Sequence, residues 1–105
     1  MKAPAIRVKH GDVVSFGGGE ELEFTHIIKD PLGIHARPAG ELAQLIKKYE
    51  CHFVIEANGH IAENGNILQM MALGAACGTE LTCRAEGPDA AIAIKEVREF
   101  LKQKL

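Results

Sequence analysis

Residues 51–63 run Cys51-His-Phe-Val-Ile-Glu-Ala57, then Asn58-Gly59, then His60-Ile-Ala-Glu63. Cys51, Phe53, Ile55 and Ala57 alternate with His52, Val54, Glu56 and Asn58, the two-residue period of a strand with one face turned inward. Asn58-Gly59 supplies the pair of left-handed positions that a two-residue hairpin turn needs. His60 to Glu63 is the return strand. Such a turn joins only antiparallel neighbours, which suggests an antiparallel sheet.

The flanking segments extend that sheet and cover one side of it. Leu22, Phe24, His26 and Ile28 share one strand face, and Glu23, Thr25, Ile27 and Lys29 the other. Asp30-Pro31-Leu32-Gly33 ends this strand in a turn. Pro38 falls in the first turn of a helix. Ala39, Leu42, Ala43 and Ile46 follow at i, i+3, i+4 and i+7 as a buried stripe, and Lys47 and Lys48 close the helix at its negative end. Beyond the hairpin, Asn64-Gly65-Asn66 is a break and Ile67 to Leu73 a short helix ending before Gly74. Stripe geometry places Met70 inward and Met71 outward. Leu81, Cys83 and Ala85 point inward from a last strand. Gly87-Pro88-Asp89 opens a final helix with the stripe Ala93, Ile94, Val97 and Leu101. The order βαββαβα predicts an α+β fold: a four-stranded antiparallel sheet with three helices on one face. The face without helices would carry Ile27 and Val54 among Thr25, His52, Thr82 and Arg84.

Residues 1–21 form an N-terminal extension, distinct from a main domain over 22–105. Ile6-Arg7-Val8-Lys9 alternates, Gly11-Asp12 can turn, Val13-Val14-Ser15-Phe16 can return, and Gly17-Gly18-Gly19 acts as a hinge. This is a marginal hairpin, rarely stable alone, so it is expected either to dock or to be a largely disordered tail. Ile6, Val8, Val13, Val14 or Phe16 are expected to cover the helix-free face or to pair with a sheet edge.

Bulk properties exclude several classes. A formal charge of −2 over 105 residues, with one tyrosine and four phenylalanines, lacks the basic and aromatic clustering of nucleic-acid binding. Three cysteines without CxxC spacing and five scattered histidines give no metal site, so no cofactor or metal is expected. Cys77 and Cys83 read as small buried hydrophobes, and His26 as a core-edge histidine hydrogen-bonded to its neighbours. No apolar run approaches the about 20 residues of a membrane span, and no leader pattern is visible. A monomer in the cytoplasm with reduced thiols is the expectation.

The chemistry concentrates in Gly33-Ile34-His35-Ala36-Arg37-Pro38-Ala39. His35 falls at the N-terminus of the first helix, where unpaired backbone N–H groups and aligned peptide dipoles favour an anion. A neutral imidazole there is a nucleophile. A phosphoryl group on it would meet those donors and the planar fork of Arg37. Pro38 fixes where the helix starts, Gly33 lets the loop approach closely, and Ala36 lies between the two charged partners.

Asp30-Pro-Leu-Gly-Ile-His-Ala-Arg-Pro-Ala39 resembles the active-site signature of the HPr family, the histidine-containing phosphocarriers of the phosphoenolpyruvate-dependent sugar phosphotransferase system. The likeness continues through Asn58-Gly59, Met71-Ala72-Leu73-Gly74 and Ala85-Glu86-Gly87. The resemblance implies an open-faced β-sandwich and phosphorylation of His35 on Nδ1 by phosphorylated enzyme I, with Arg37 assisting. Enzyme II A components would be the acceptors. It also implies a partner-binding patch of Ile67, Leu68 and Met71, with Gln44 and Lys47 beside it. Such a protein carries a group rather than acting as a conventional enzyme. Asn66 stands where many members have a regulatory serine; it can cap a helix but has no hydroxyl to phosphorylate. Competing readings are a side-branch carrier of the same fold and a regulatory binding module outside sugar transport.

Overall fold

The structure is a computed structural model that describes residues 13–16 and 21–105. Its elements are β1 (Val14–Phe16), β2 (Glu21–Ile27), α1 (Ala36–Ile46), β3 (His52–Ala57), β4 (His60–Glu63), α2 (Ile67–Ala72), β5 (Glu80–Glu86) and α3 (Ala90–Lys104). The strands lie in the order β1-β2-β5-β3-β4, every neighbouring pair antiparallel. From β2 onward this is the expected four-stranded sheet with three helices.

Alternation sorts the side chains as read from the sequence. Phe24, Leu81, Cys83, Ala85, Phe53, Ile55, Ala57 and Ala62 are buried beneath the helices, together with Leu42, Ala43 and Ile46 of α1 and Ala93, Ile94, Val97 and Leu101 of α3. The register sets Thr25 beside Thr82, Glu23 beside Arg84, and Val54 beside Arg84 on the opposite, helix-free face.

The addition is β1. Val14, Ser15 and Phe16 pair with Glu23, Leu22 and Glu21, so this part of the extension occupies the outer edge of β2. Unpaired edge amides and carbonyls invite a partner strand, and a neighbouring stretch of the same chain supplies one at little loop-closure cost. The other arm of the expected hairpin, Ile6 to Lys9, lies outside the described residues.

The hairpin turn does more than reverse the chain. Asn58 and Gly59 both have positive φ, 52° and 78°. The Asn58 side-chain amide donates to the carbonyls of Leu73 and Gly74, at 2.9 and 3.1 Å, fastening the β3–β4 turn to the end of α2. At the start of α2, Asn66 is the N-cap and its side-chain oxygen accepts from the Gln69 amide at 3.0 Å. Asp89 begins α3 without capping it through its side chain. Its carboxylate instead accepts from the Glu50 amide at 2.7 Å, tying the turn before β3 to the last helix.

Three titratable groups differ in their surroundings. Cys83 is fully buried, and burial, with the Glu23 carboxylate adding to it, pushes its thiol pKa up. Cys77, expected inside, is exposed: it lies in the turn between α2 and β5, with Sγ 3.7 Å from the Lys29 carbonyl. His26 is half-buried at the core edge as expected, yet its Nε2 is enclosed with no partner among the described residues. Burial holds its pKa below the ordinary 6.5. A hydrogen bond with the Leu105 main chain opposes that shift, and Lys29 and Lys102 reinforce it.

Two outcomes follow. Asn58→Ala loses both amide hydrogen bonds and replaces asparagine by a residue that tolerates positive φ less well, costing about 2 kcal/mol in urea denaturation, whereas Asn58→Gly costs less because glycine adopts that φ freely. Folded His26 binds its proton more weakly than the unfolded chain. Its contribution is therefore intact above pH 6.5 and is lost as pH falls from there through the folded pKa. The urea midpoint measured across that window should drop on acidification, and drop less in His26→Gln.

Candidate functional site

The loop from β2 to α1 is built by three successive constraints. The Asp30 carboxylate accepts from the Leu32 amide at 2.8 Å and the Asp30 carbonyl from the Gly33 amide at 3.0 Å, closing a turn over Pro31 and Leu32. Gly33 then adopts φ +68° against the segment after α2. A Cβ built on it would stand 2.4 Å from the Ala75 carbonyl oxygen. The next amide, Ile34, donates to that same oxygen at 2.9 Å. Before the turn, Lys29 and Asp30 donate to the Leu105 oxygen at 2.6 and 3.1 Å, and Gly78 donates to the Ile28 carbonyl at 2.8 Å.

His35 emerges from this held loop as the N-cap of α1, extended at φ −129° and ψ 179°. Its carbonyl accepts from the Ala39 amide at 3.0 Å, the first helical hydrogen bond. Its ring makes no capping bond and is half-buried. The helix therefore begins with the amides of Ala36 and Arg37 outside its own ladder, while Pro38, third in the helix, has no amide proton to leave unpaired. No acidic residue stands in the first turn. Arg37 is exposed and forms no ion pair among the described residues. An imidazole, two main-chain donors outside the helical ladder and an arginine thus belong to the first turn of one helix, which holds no carboxylate, a set of residues suited to an anionic group.

The residues expected around that centre fall into three groups. Gly33, Ala36 and Pro38 shape the loop and first turn. Ile67, Leu68 and Met71 of α2 are exposed, Leu68 to 80%, whereas Met70 is fully buried, so the stripe reading separates the two methionines correctly. Gln44 and Lys47 are exposed at the end of α1, with Lys47 as its C-cap. Leu32 was missed by the sequence reading. It is 74% exposed inside the His35 loop itself, and an apolar residue between Pro31 and Gly33, belonging to no strand or helix stripe, was the available signal. Among the described residues no cluster of His, Cys, Asp or Glu could hold a metal ion. A cavity of about 150 Å³ opens on the helix-free face and includes no residue of the His35 loop.

Gly33→Ala should disturb this site specifically. The new methyl group meets main chain rather than a movable side chain, at a φ that alanine tolerates poorly. A loss of about 2–4 kcal/mol in urea denaturation is expected, with the largest amide shift changes at Ile34, His35 and Ala75. Gly40→Ala, where a Cβ meets nothing within 4 Å, is the neutral-to-stabilising control.

Comparison with known proteins bears on this geometry. The family model described as the PTS HPr component phosphorylation site matches residues 22–103. The phosphocarrier protein HPr of Mycoplasma capricolum subsp. capricolum is 38% identical over 79 residues, covering 75% of this chain and 89% of that protein. The solved structure of a mycoplasma histidine-containing phosphocarrier protein superposes with a TM-score of 0.74 at 36% identity, over 77% of this chain and 92% of the other. HPr from Thermoanaerobacter tengcongensis gives a TM-score of 0.73 at 32% identity, over 78% and 92%. The matched span runs from the second residue of β2 to the penultimate residue of α3, His35 at the start of α1 included, and the chain belongs to the HPr family of phosphocarriers of the phosphotransferase system.

Proposed function

We propose that His35 accepts a phosphoryl group from phosphorylated enzyme I and passes it to enzyme II A components in sugar uptake, in the cytoplasm. The observation that carries this reading is the uncommitted His35 ring at a helix N-terminus that holds a cation and no carboxylate. In the transfer, Nδ1 of neutral His35 attacks phosphorus as the donor's P–N bond breaks. One P–N bond replaces another, so the free-energy change is small and the group can leave again in the next complex. The Ala36 and Arg37 amides and the Arg37 guanidinium receive the phosphoryl oxygens. The chain contributes a nucleophile and charge stabilisation, and each partner contributes the rest of the reaction centre. It acts as a carrier, not as an enzyme with a substrate pocket of its own.

Recognition is assigned to Ile67, Leu68 and Met71, flanked by Gln44 and Lys47, with Leu32 added from the structure. Their exposure supports this, since a small apolar patch with a polar rim suits encounters that must dissociate quickly. Asn66 already caps α2 through its side chain, and it offers no hydroxyl, so regulation by serine phosphorylation at this position is absent.

Intact mass after incubation with phosphoenolpyruvate and catalytic enzyme I tests the proposal. One acid-labile phosphoryl adduct is expected, absent in His35→Ala. Arg37→Ala should slow adduct formation roughly 10- to 100-fold, the worth of one charged hydrogen bond. No adduct with a proven active enzyme I would overturn the sugar-uptake assignment in favour of a side-branch carrier or a binding module.

A further inference from the structure

The helix-free face of the sheet is strongly one-signed. In register, Glu21 stands opposite Glu86, Glu23 opposite Arg84, Ile27 opposite Glu80, and Val54 opposite Glu63, with Glu56 beside Thr82. Arg84 is the one arginine or lysine among these strand positions, and it is already engaged by Glu23 and, at 3.8 Å, by Glu56. His52 bonds Glu63 at 2.9 Å. Glu21 and Glu86 are left as like charges directly opposed, an unfavourable cross-strand pair. No salt bridge of either is formed among the described residues. Both line the cavity of about 150 Å³, together with His52, Val54, Ala85 and Arg84. Val54, half-exposed, lines the cavity with these acids, and farther along the same face Ile61, opposite Glu56, and Ile27, opposite Glu80, are exposed.

The chain itself contains a segment of the complementary kind. Residues 1–12 hold Lys2, Arg7 and Lys9 against the single acid Asp12, with Ile6 and Val8 alternating between the cations. Strand β1 delivers this segment to the edge of the face. Because Val14 pairs with Glu23 and Phe16 with Glu21, the chain preceding Val14 heads toward the Ile27 end of β2. Twelve residues reach at most about 40 Å, against about 14 Å for the three strand spacings from β2 to β4.

We propose that residues 1–12 of this chain lie across the helix-free face, Ile6 and Val8 against Val54 and its apolar neighbours, with a lysine or arginine seated between Glu21 and Glu86. The arm supplies what the face lacks: a cation for the opposed carboxylates and apolar cover beside them. Tethering through β1 makes the contact intramolecular, so modest complementarity is enough to hold it. The face is then occupied by the protein's own extension on the side away from His35.

Methyl-labelled full-length protein tests this by nuclear Overhauser effects. Contacts from Ile6 or Val8 methyls to those of Val54, Ile27 or Ile61 are expected at low salt. They should be lost in Arg7→Glu combined with Lys9→Glu, and again in Glu21→Gln combined with Glu86→Gln, two variants outside the hydrophobic core. Ile6 and Val8 contacts confined to residues 13–16 would mean that the arm only widens the sheet, and would overturn the proposal. So would random-coil methyl shifts for both residues. A sample mixing differently labelled chains distinguishes the last case: contacts that pass between chains would make a second copy the occupant and reject the intramolecular arm.

Discussion

The site depends on one close approach of backbone to backbone. Gly33 lies so near Ala75 and Ala76 that a side chain there would overlap main-chain atoms, and Ile34 donates to the same Ala75 oxygen that the Cβ would strike. The segment after α2 therefore sets where α1 begins. Asn58 holds the end of α2 from the β3–β4 turn, so the chain of support runs from this edge hairpin through α2 to the His35 loop. None of these links is a strong interaction alone. Their effect comes from sequence: each fixes the backbone that the next one uses. A loop otherwise free to sample many conformations is held with its histidine at the helix end.

The parts of this arrangement that follow a period were legible in the sequence. The stripe Ala39, Leu42, Ala43 and Ile46 and the alternation of Phe53, Ile55 and Ala57 report burial directly, because helix and strand geometry convert spacing into facing. The same logic separated Met70 from Met71. The parts carried by irregular backbone were not legible. Nothing in the spacing around Cys77 shows that its turn faces solvent, and nothing in Asp30-Pro31-Leu32-Gly33 shows that Leu32 projects from it. Asp89 stands at the N-cap of α3, yet its carboxylate accepts from the amide of Glu50, thirty-nine positions earlier. Long-range pairing of that kind leaves no local trace.

β1 shows how a sheet edge can recruit sequence from outside its domain. The family match begins at Leu22, yet the sheet begins at Val14. β2 is a seven-residue strand whose outer edge would present a row of unpaired main-chain groups. Three residues of the extension satisfy part of that row. The other edge, β4, has only four residues, with charged Glu63 at its end, and short charged edges resist pairing without cover. The two edges are thus protected by different means, and only the longer one needed added chain.

The N-termini of α1 and α2 contrast in what their first residues do. Asn66 turns its side chain onto the Gln69 amide, so its hydrogen-bonding capacity is committed to its own helix. His35 occupies the same structural position in α1 and leaves its ring uncommitted. Capping stabilises a helix by roughly 1 kcal/mol, and an asparagine or serine at position 35 would gain it. Histidine forgoes that gain and leaves the first-turn donors available to something outside the helix. α1 shares with α2 and α3 the lack of an acidic residue in its first turn, so no carboxylate of its own turn takes up those donors. The capping interaction is thus made by the chain's own side chain at the start of α2 and left unmade at the start of α1, where under the proposed function a phosphoryl group would take its place.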